Sequence, residues 1–399
     1  KTPFGLPPFD KIKTKDYLPA VKEAVKLHKK EVDAIIKSKD TPTFANVIEA
    51  MDRSGELLTQ VLTTFYNLNS SVTNEEMQKI AEQISPLVSA HSDEISMNKK
   101  LFEKIKAVWD NRAQFNLNQE QTRLLEKYYN DFKRNGALLN DADQAKLKDI
   151  NSKLALLTLK FGNNVQKETI KFKLIIDKKE DLEGLPQSLI DAAADDAKAM
   201  KLDGKWVFTL QNPSVMPFLQ YSAKRELREK IWRAYADRAN NNDEFDNKEI
   251  IRQIAILRLE RAKLLGYPSH AAYVLEQNMA KNPDGVMNLL NRLWEPTVKT
   301  MKIEAYDLQS MIYREGNNFK LEPWDWRYYA EKVRKEKYDL NEEDIRPYFK
   351  LENVRDGIFE LVKRLYGVTF KERKDLPVFH PDVVPYEVLN SDGSHLGVL

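Results

Sequence analysis

The sequence predicts a mainly α-helical protein with small β-sheet elements. Apolar residues recur every three or four positions along most of its 399 residues. Apolar–polar alternation is confined to a few short runs, and no repeat with a period of about 20–50 residues is present.

Leu18, Val21, Val25, His28, Val32 and Ile35 fall on one face of a first helix, with Pro19 in its opening turn, where a missing N–H costs nothing. Phe44, Val47, Ile48, Met51, Leu58, Val61, Phe65 and Leu68 form a second stripe. Thr73 with Glu76 predicts a capping box for a third, carrying Met77, Ile80, Ile84, Leu87, His91 and Ile95. Leu101, Ile105, Val108 and Trp109 mark a shorter helix, and Tyr128 and Phe132 one that ends near Gly136. Asp141 starts a helix with Leu147, Ile150, Leu154, Leu157 and Phe161.

The period then changes. Ile170, Phe172, Leu174 and Ile176 alternate, as do Trp206, Phe208 and Leu210, which predicts two strands bridged by an Ala-rich helix ending near Met200. Helices resume through Leu227, Ile231 and Tyr235. Asn240 to Asp243 is the most loop-like run and a candidate hinge. Ile250 to Leu264 is helical and stops at Gly266, and a long helix from Pro283 toward Tyr313 is expected to break at Pro296. Trp324–Lys335 and Val354–Tyr366 are further helices. Val383, Tyr386 and Val388, a turn at Ser391-Asp392-Gly393, and His395 to Leu399 read as a hairpin.

The length exceeds the roughly 100–200 residues of one domain, so more than one packed region is expected. The 63 Lys and Arg nearly cancel the 61 Asp and Glu and are interspersed with them, which argues against a nucleic-acid partner. No apolar run approaches the roughly 20 residues of a membrane span. Lys1 is not an initiator Met, so any signal peptide is expected to be gone already, or the start to be an internal boundary. The absence of Cys excludes disulfides and thiolate chemistry and suits either the periplasm or the cytoplasm of a bacterium.

Five histidines bound the chemistry: His28, His91, His270, His380 and His395. A helical zinc site of the H-E-x-x-H type needs two imidazoles four residues apart on one helix face, and no pair here meets that spacing. No catalytic residue and no metal ligand is therefore assigned. His28 and His91 sit on apolar stripes and read as core histidines, and His270 as part of a helix start. His380 and Asp382, in Phe379-His380-Pro381-Asp382, are the candidate substrate-channel residues, with a turn-stabilising pair as the competing reading. There is no G-x-S-x-G elbow and no Gly-rich phosphate loop. Trp324, Trp326, Tyr328 and Tyr329 read as a packed aromatic helix face, with a cleft lining as the alternative.

Several segments are similar to one known family. Phe9-Asp10, Tyr17-Leu18-Pro19-Ala20, Pro42-Thr43-Phe44-Ala45-Asn46 and Glu56-Leu57-Leu58 resemble the opening of the family M3 zinc oligopeptidases, in their peptidyl-dipeptidase (dipeptidyl carboxypeptidase) branch. So do RLERAKLLGYPSHAAYVLEQNMA from Arg258, PWDWRYYAEKVRKEKYDLNEEDIRPYF from Pro323, and the run from Leu365 through PVFHPDVVPYEVLNSDGSHLGVL. The resemblance implies an elongated, neurolysin- or thimet-oligopeptidase-like helical fold whose two lobes flank a deep channel. It implies a monomeric zinc peptidase acting on short peptides and releasing C-terminal dipeptides. The zinc ligands and the general base it implies belong to an H-E-x-x-H helix and a following helix, all beyond Leu399. The parent protein is thus expected to hold zinc, and this chain to bind none and be inactive. The division expected is a helical region 1–240 with a small sheet near 169–211, a second helical region 241–376, and the start of a catalytic-domain hairpin at 377–399. The alternative is a stand-alone helical binding scaffold without catalysis, against which the strand-like close on Val398-Leu399 argues.

Overall fold

The computed structural model describes residues 2–339 and 342–399. It is mainly helical, and the chain divides into two compact units, residues 1–155 with 342–399 and residues 156–341.

The first unit opens with α1 (Tyr17–Lys37), then a wide helical segment Phe44–Glu49 that runs into α2 (Ala50–Arg53), α3 (Glu56–Ser71), α4 (Glu75–Ser96), α5 (Lys99–Asp110) and α6 (Gln119–Arg134). The stripes are the buried faces: Val32, Ile48, Leu101, Ile105, Val108 and Leu125 share one core. A single Phe44–Leu68 stripe becomes two helices because Gly55 adopts φ +75° between them. A Cβ at Gly55 would lie 2.8 Å from the ring of His28, so the position excludes any larger residue on two grounds. The cap of α4 differs from the expected Thr73 box. Asn74 accepts from the Met77 N–H at 2.9 Å, while the Thr73 hydroxyl is directed back to Asn69 at 2.9 Å.

α7 (Asp141–Lys171) leads into the second unit, which continues with β1 (Leu174–Ile176), α8 (Gln187–Ala199), β2 (Trp206–Phe208), α9 (Asn212–Tyr221), α10 (Arg225–Ala236), α11 (Lys248–Leu264), α12 (His270–Leu275), α13 (Pro283–Arg314) and α14 (Pro323–Tyr338). β1 and β2 pair antiparallel, with Leu174 opposite Phe208 and Ile176 opposite Trp206. Their buried side chains join Val215, Phe218 and Ile231 in one core. The strand is shorter than its alternation suggests. Ile170 is still helical and exposed, so its place in the pattern is coincidental. Pro296 does not interrupt α13, which runs unbroken for 32 residues. That stretch is exposed, so water can meet the carbonyl that the proline leaves without a donor. The aromatic face of α14 is packed: Tyr329 sits with Leu308 and Ile312 of α13. The asparagine-rich loop is tied down, since Glu168 accepts from the Ala239 N–H at 2.8 Å and Asn164 bonds Asn247 at 2.9 Å.

The chain returns to the first unit through α15 (Glu342–Ile345) and α16 (Leu351–Tyr366). A three-stranded antiparallel sheet follows in the order β3 (Thr369–Glu372), β4 (Tyr386–Leu389), β5 (His395–Val398). The hairpin of β4 and β5 is the one expected, although Val383 precedes it. β3 is an addition that puts β4 in the centre, with Phe370 opposite Val388.

Candidate functional site

His380 and Asp382 lie in the long connection between β3 and β4. The Asp382 N–H donates to His380 Nδ1 at 3.3 Å, the Asp382 carboxylate lies 3.6 Å from the same nitrogen, and the Val383 N–H donates to the His380 carbonyl at 3.1 Å. These bonds close a turn on itself. Both side chains are exposed, so the pair lacks the burial and, among the described residues, the third group that an acid–base pair uses.

The other histidines are engaged in packing. His395 stacks on Phe4 with ring centroids 4.0 Å apart and meets Glu387 Oε1 through Nδ1 at 3.0 Å. Glu387 also takes a hydrogen bond from Arg373, and the bonds from His395 and Arg373 hold its carboxyl below the usual range. His270 begins α12, whose cap is the Ser269 hydroxyl accepting from the Ala272 N–H at 3.1 Å. Burial, then Arg258 and Arg261, push the His270 ring below its ordinary pKa.

His28 of α1, half-buried, and His91 of α4, buried, form a relay. The ring nitrogens His91 Nε2 and His28 Nδ1 are 3.0 Å apart, and His28 Nε2 is 3.2 Å from Ser54 Oγ. Ser54 donates its hydroxyl proton to the Met51 carbonyl at 2.7 Å, so its oxygen accepts from His28 Nε2–H. His28 Nδ1 is then an acceptor, and His91 Nε2–H is its donor. This fixes both tautomers and leaves His91 Nδ1 buried with no partner among the described residues. Burial pushes both imidazoles below their ordinary pKa of 6.5, His91 also through its neighbour His28. Both are therefore neutral hydrogen-bonding groups at pH 7.

A zinc ion does not fit these residues. Among the described residues no three His, Asp or Glu side chains converge on one point. The two imidazoles that do meet spend their facing nitrogens on each other. The H-E-x-x-H spacing is absent from the whole sequence.

Sequence reasoning missed two features. In the second unit, the buried Asp325 of α14 accepts from Arg225 Nη2 and from Arg228 Nη2, each at 2.8 Å. Arg228 also donates to the carbonyls of Ser222 and Trp324. In the first unit, a cleft of about 620 Å³ lies between the N-terminal segment, α1 and α3, walled by Leu6, Pro7, Ile12, Tyr17, Leu57 and Val61. Asp16 and Tyr17 are the ionisable groups of its lining, and no run of the sequence announces it.

Residues 218–399 match the description "Peptidase family M3". The chain is 35% identical to the dipeptidyl carboxypeptidase of Escherichia coli over 397 residues, 99% of this chain and 58% of that protein. It is 32% identical to oligopeptidase A of the same organism over 400 residues, 99% of this chain and 59% of that protein. It is 26% identical to saccharolysin of Saccharomyces cerevisiae, over 88% of this chain and 50% of that protein. The chain thus spans less than two thirds of the length of these relatives. No helix among the described residues is long and apolar enough to cross a membrane.

Proposed function

We propose that this chain belongs to peptidase family M3 and is the helical portion of a zinc metallopeptidase that releases dipeptides from the C-termini of short peptides. The observation that carries this reading is identity of 35% sustained over 99% of the chain with a protein named for that activity. The aligned region takes in nearly the whole chain, 397 residues of it.

The chemistry of such a peptidase needs a metal to polarise the scissile carbonyl and to lower the pKa of its bound water to about 7. Among the described residues no three His, Asp or Glu side chains gather, and the five histidines are committed to a turn, a stack, a helix start and the His28–His91 relay. The contribution of these 399 residues to the reaction is therefore structural: shaping the space that admits a peptide. His380 and Asp382 belong to this proposal as exposed polar residues beside that path. Replacing both with Ala in the intact enzyme is expected to raise KM and leave kcat unchanged.

The test is to express the gene's full reading frame and assay it on short unblocked peptides. Release of C-terminal dipeptides that a chelator abolishes is expected. Cleavage at internal bonds alone would reassign the branch, and no hydrolysis would overturn the peptidase reading.

A further inference from the structure

The cleft of the first unit is propped open by its own wall. Pro3, Pro7 and Pro8 stiffen the N-terminal segment that forms one side. Two aromatic contacts pin that segment to the rest of its unit: Phe4 stacks on His395 with ring centroids 4.0 Å apart, and Phe9 meets Phe379 edge-on at 5.6 Å. The Lys11 and Ile12 N–H groups both donate to the Pro8 carbonyl, at 2.9 and 3.1 Å, which turns the chain before it enters α1. The opposite side is Leu57 and Val61 of α3, one helical turn apart. The two walls are thus held from closing on each other, and the space of about 620 Å³ between them is that of a small-molecule site.

Its polar end has one sign. Asp16 and Tyr17 line the cleft where α1 begins, and among the described residues no Lys, Arg or His lines it. Asp16 spends Oδ2 on the Lys13 N–H at 2.9 Å and forms no ion pair among the described residues, which leaves Oδ1 without a counter-charge. Tyr17 is 6% exposed, with its ring against Phe65 at 5.2 Å, yet its hydroxyl makes no hydrogen bond among the described residues. A tyrosine hydroxyl buried to that degree ordinarily has a partner. Burial, then the Asp16 carboxylate, raises its pKa, so it stays protonated and its oxygen can accept. A group that satisfies both neighbours must donate hydrogen bonds and carry positive charge. An ammonium does so with three N–H donors, whereas a carboxylate or phosphate would meet an uncompensated Asp16.

We infer that this cleft binds primary amines with an apolar aryl or alkyl body, the ammonium held by Asp16 Oδ1 and the Tyr17 hydroxyl and the body by Leu6, Ile12, Leu57 and Val61. The site lies wholly within the first unit, and its occupancy does not depend on the peptidase reading.

The probe is phenethylamine, with phenethyl alcohol as its neutral counterpart, each titrated against the 399-residue chain by saturation-transfer NMR. Saturable binding of the amine is expected, about tenfold tighter than that of the alcohol, the size of one charge-assisted hydrogen bond. Asp16→Asn can still accept from the Lys13 N–H but loses the charge, and should bring the amine down to the level of the alcohol. Tyr17→Phe keeps the ring against Phe65 and removes only the hydroxyl, and should weaken the amine more than the alcohol. Leu57→Trp, at a position 46% exposed, fills the apolar end and should weaken both ligands alike. Unchanged far-UV circular dichroism and melting establish that each variant folds. Absence of amine binding, equal affinity for amine and alcohol, or amine binding that Asp16→Asn leaves unchanged overturns the inference. So does binding that Leu57→Trp does not weaken, which would place the ligand outside this cleft.

Discussion

Arg228, 1% exposed, donates through Nη2 to Oδ1 of the fully buried Asp325 at 2.8 Å, joining residues 97 positions apart. The pair fixes α10 against α14 inside the second unit, and Arg225 takes the other carboxylate oxygen. Removing Asp325 leaves a guanidinium buried without its counter-charge. Asp325→Ala is expected to cost about 3–5 kcal/mol, the range for breaking a buried pair from one side. Arg225→Ala should cost clearly less, since Arg225 is nearly a third exposed. Urea denaturation of the two variants measures the difference, and equal losses would contradict this ranking.

The His28–His91 relay makes stability depend on pH. Burial lowers both imidazole pKa values in the folded state, so between the folded values and 6.5 the unfolded chain binds more protons than the folded one. The stabilisation is present above pH 6.5 and is lost as pH falls through the lowered values. The charged groups nearby are Glu31, whose carboxylate accepts from the Gly55 N–H, and the Lys29–Glu94 ion pair, which borders His91. His91→Phe removes the donor to His28 Nδ1 and should cost about 1–3 kcal/mol near neutrality, with a shallower fall below pH 6.5. Melting curves across that range for wild type and variant decide the matter. A wild-type profile flat below pH 6.5 would show that these rings do not titrate with folding.

The helical body was legible because burial there follows the apolar period: Val21, Val32, Ile48, Ile84, Leu101 and Ile105 are all buried where their stripes put them. What failed was local pattern without burial behind it. Ile170 extended an alternation by chance, and Thr369–Glu372 forms a strand with mostly exposed side chains and hence no two-residue signal. Pro296 looked like a break because sequence does not reveal that its helix turn faces water. For the site, the local relation of His380 to Asp382 could be read, two residues being within reach of one turn. The contacts of His28 with His91, 63 positions away, and of Arg228 with Asp325 depend on how helices pack, which no single stripe encodes.

Strand β5 lies at the sheet's edge, hydrogen-bonded to β4 on one side only. Leu396 on that strand is 57% exposed. An edge with an exposed apolar residue is a template for pairing with another chain. Leu396→Lys is expected to reduce any concentration-dependent association of the chain, read as the weight-average mass in sedimentation equilibrium. Association that persists undiminished in the variant would place it elsewhere than β5.

The central proposal is that these 399 residues are part of a family M3 peptidase whose metal chemistry lies outside them. The most direct measurement is zinc content and peptide hydrolysis of the purified chain after dialysis against zinc and then buffer. Zinc well below one equivalent per chain, with no dipeptide release from short peptides, is the result predicted from its five dispersed histidines and lack of an H-E-x-x-H helix. One tightly held zinc per chain together with chelator-sensitive dipeptide release would contradict it.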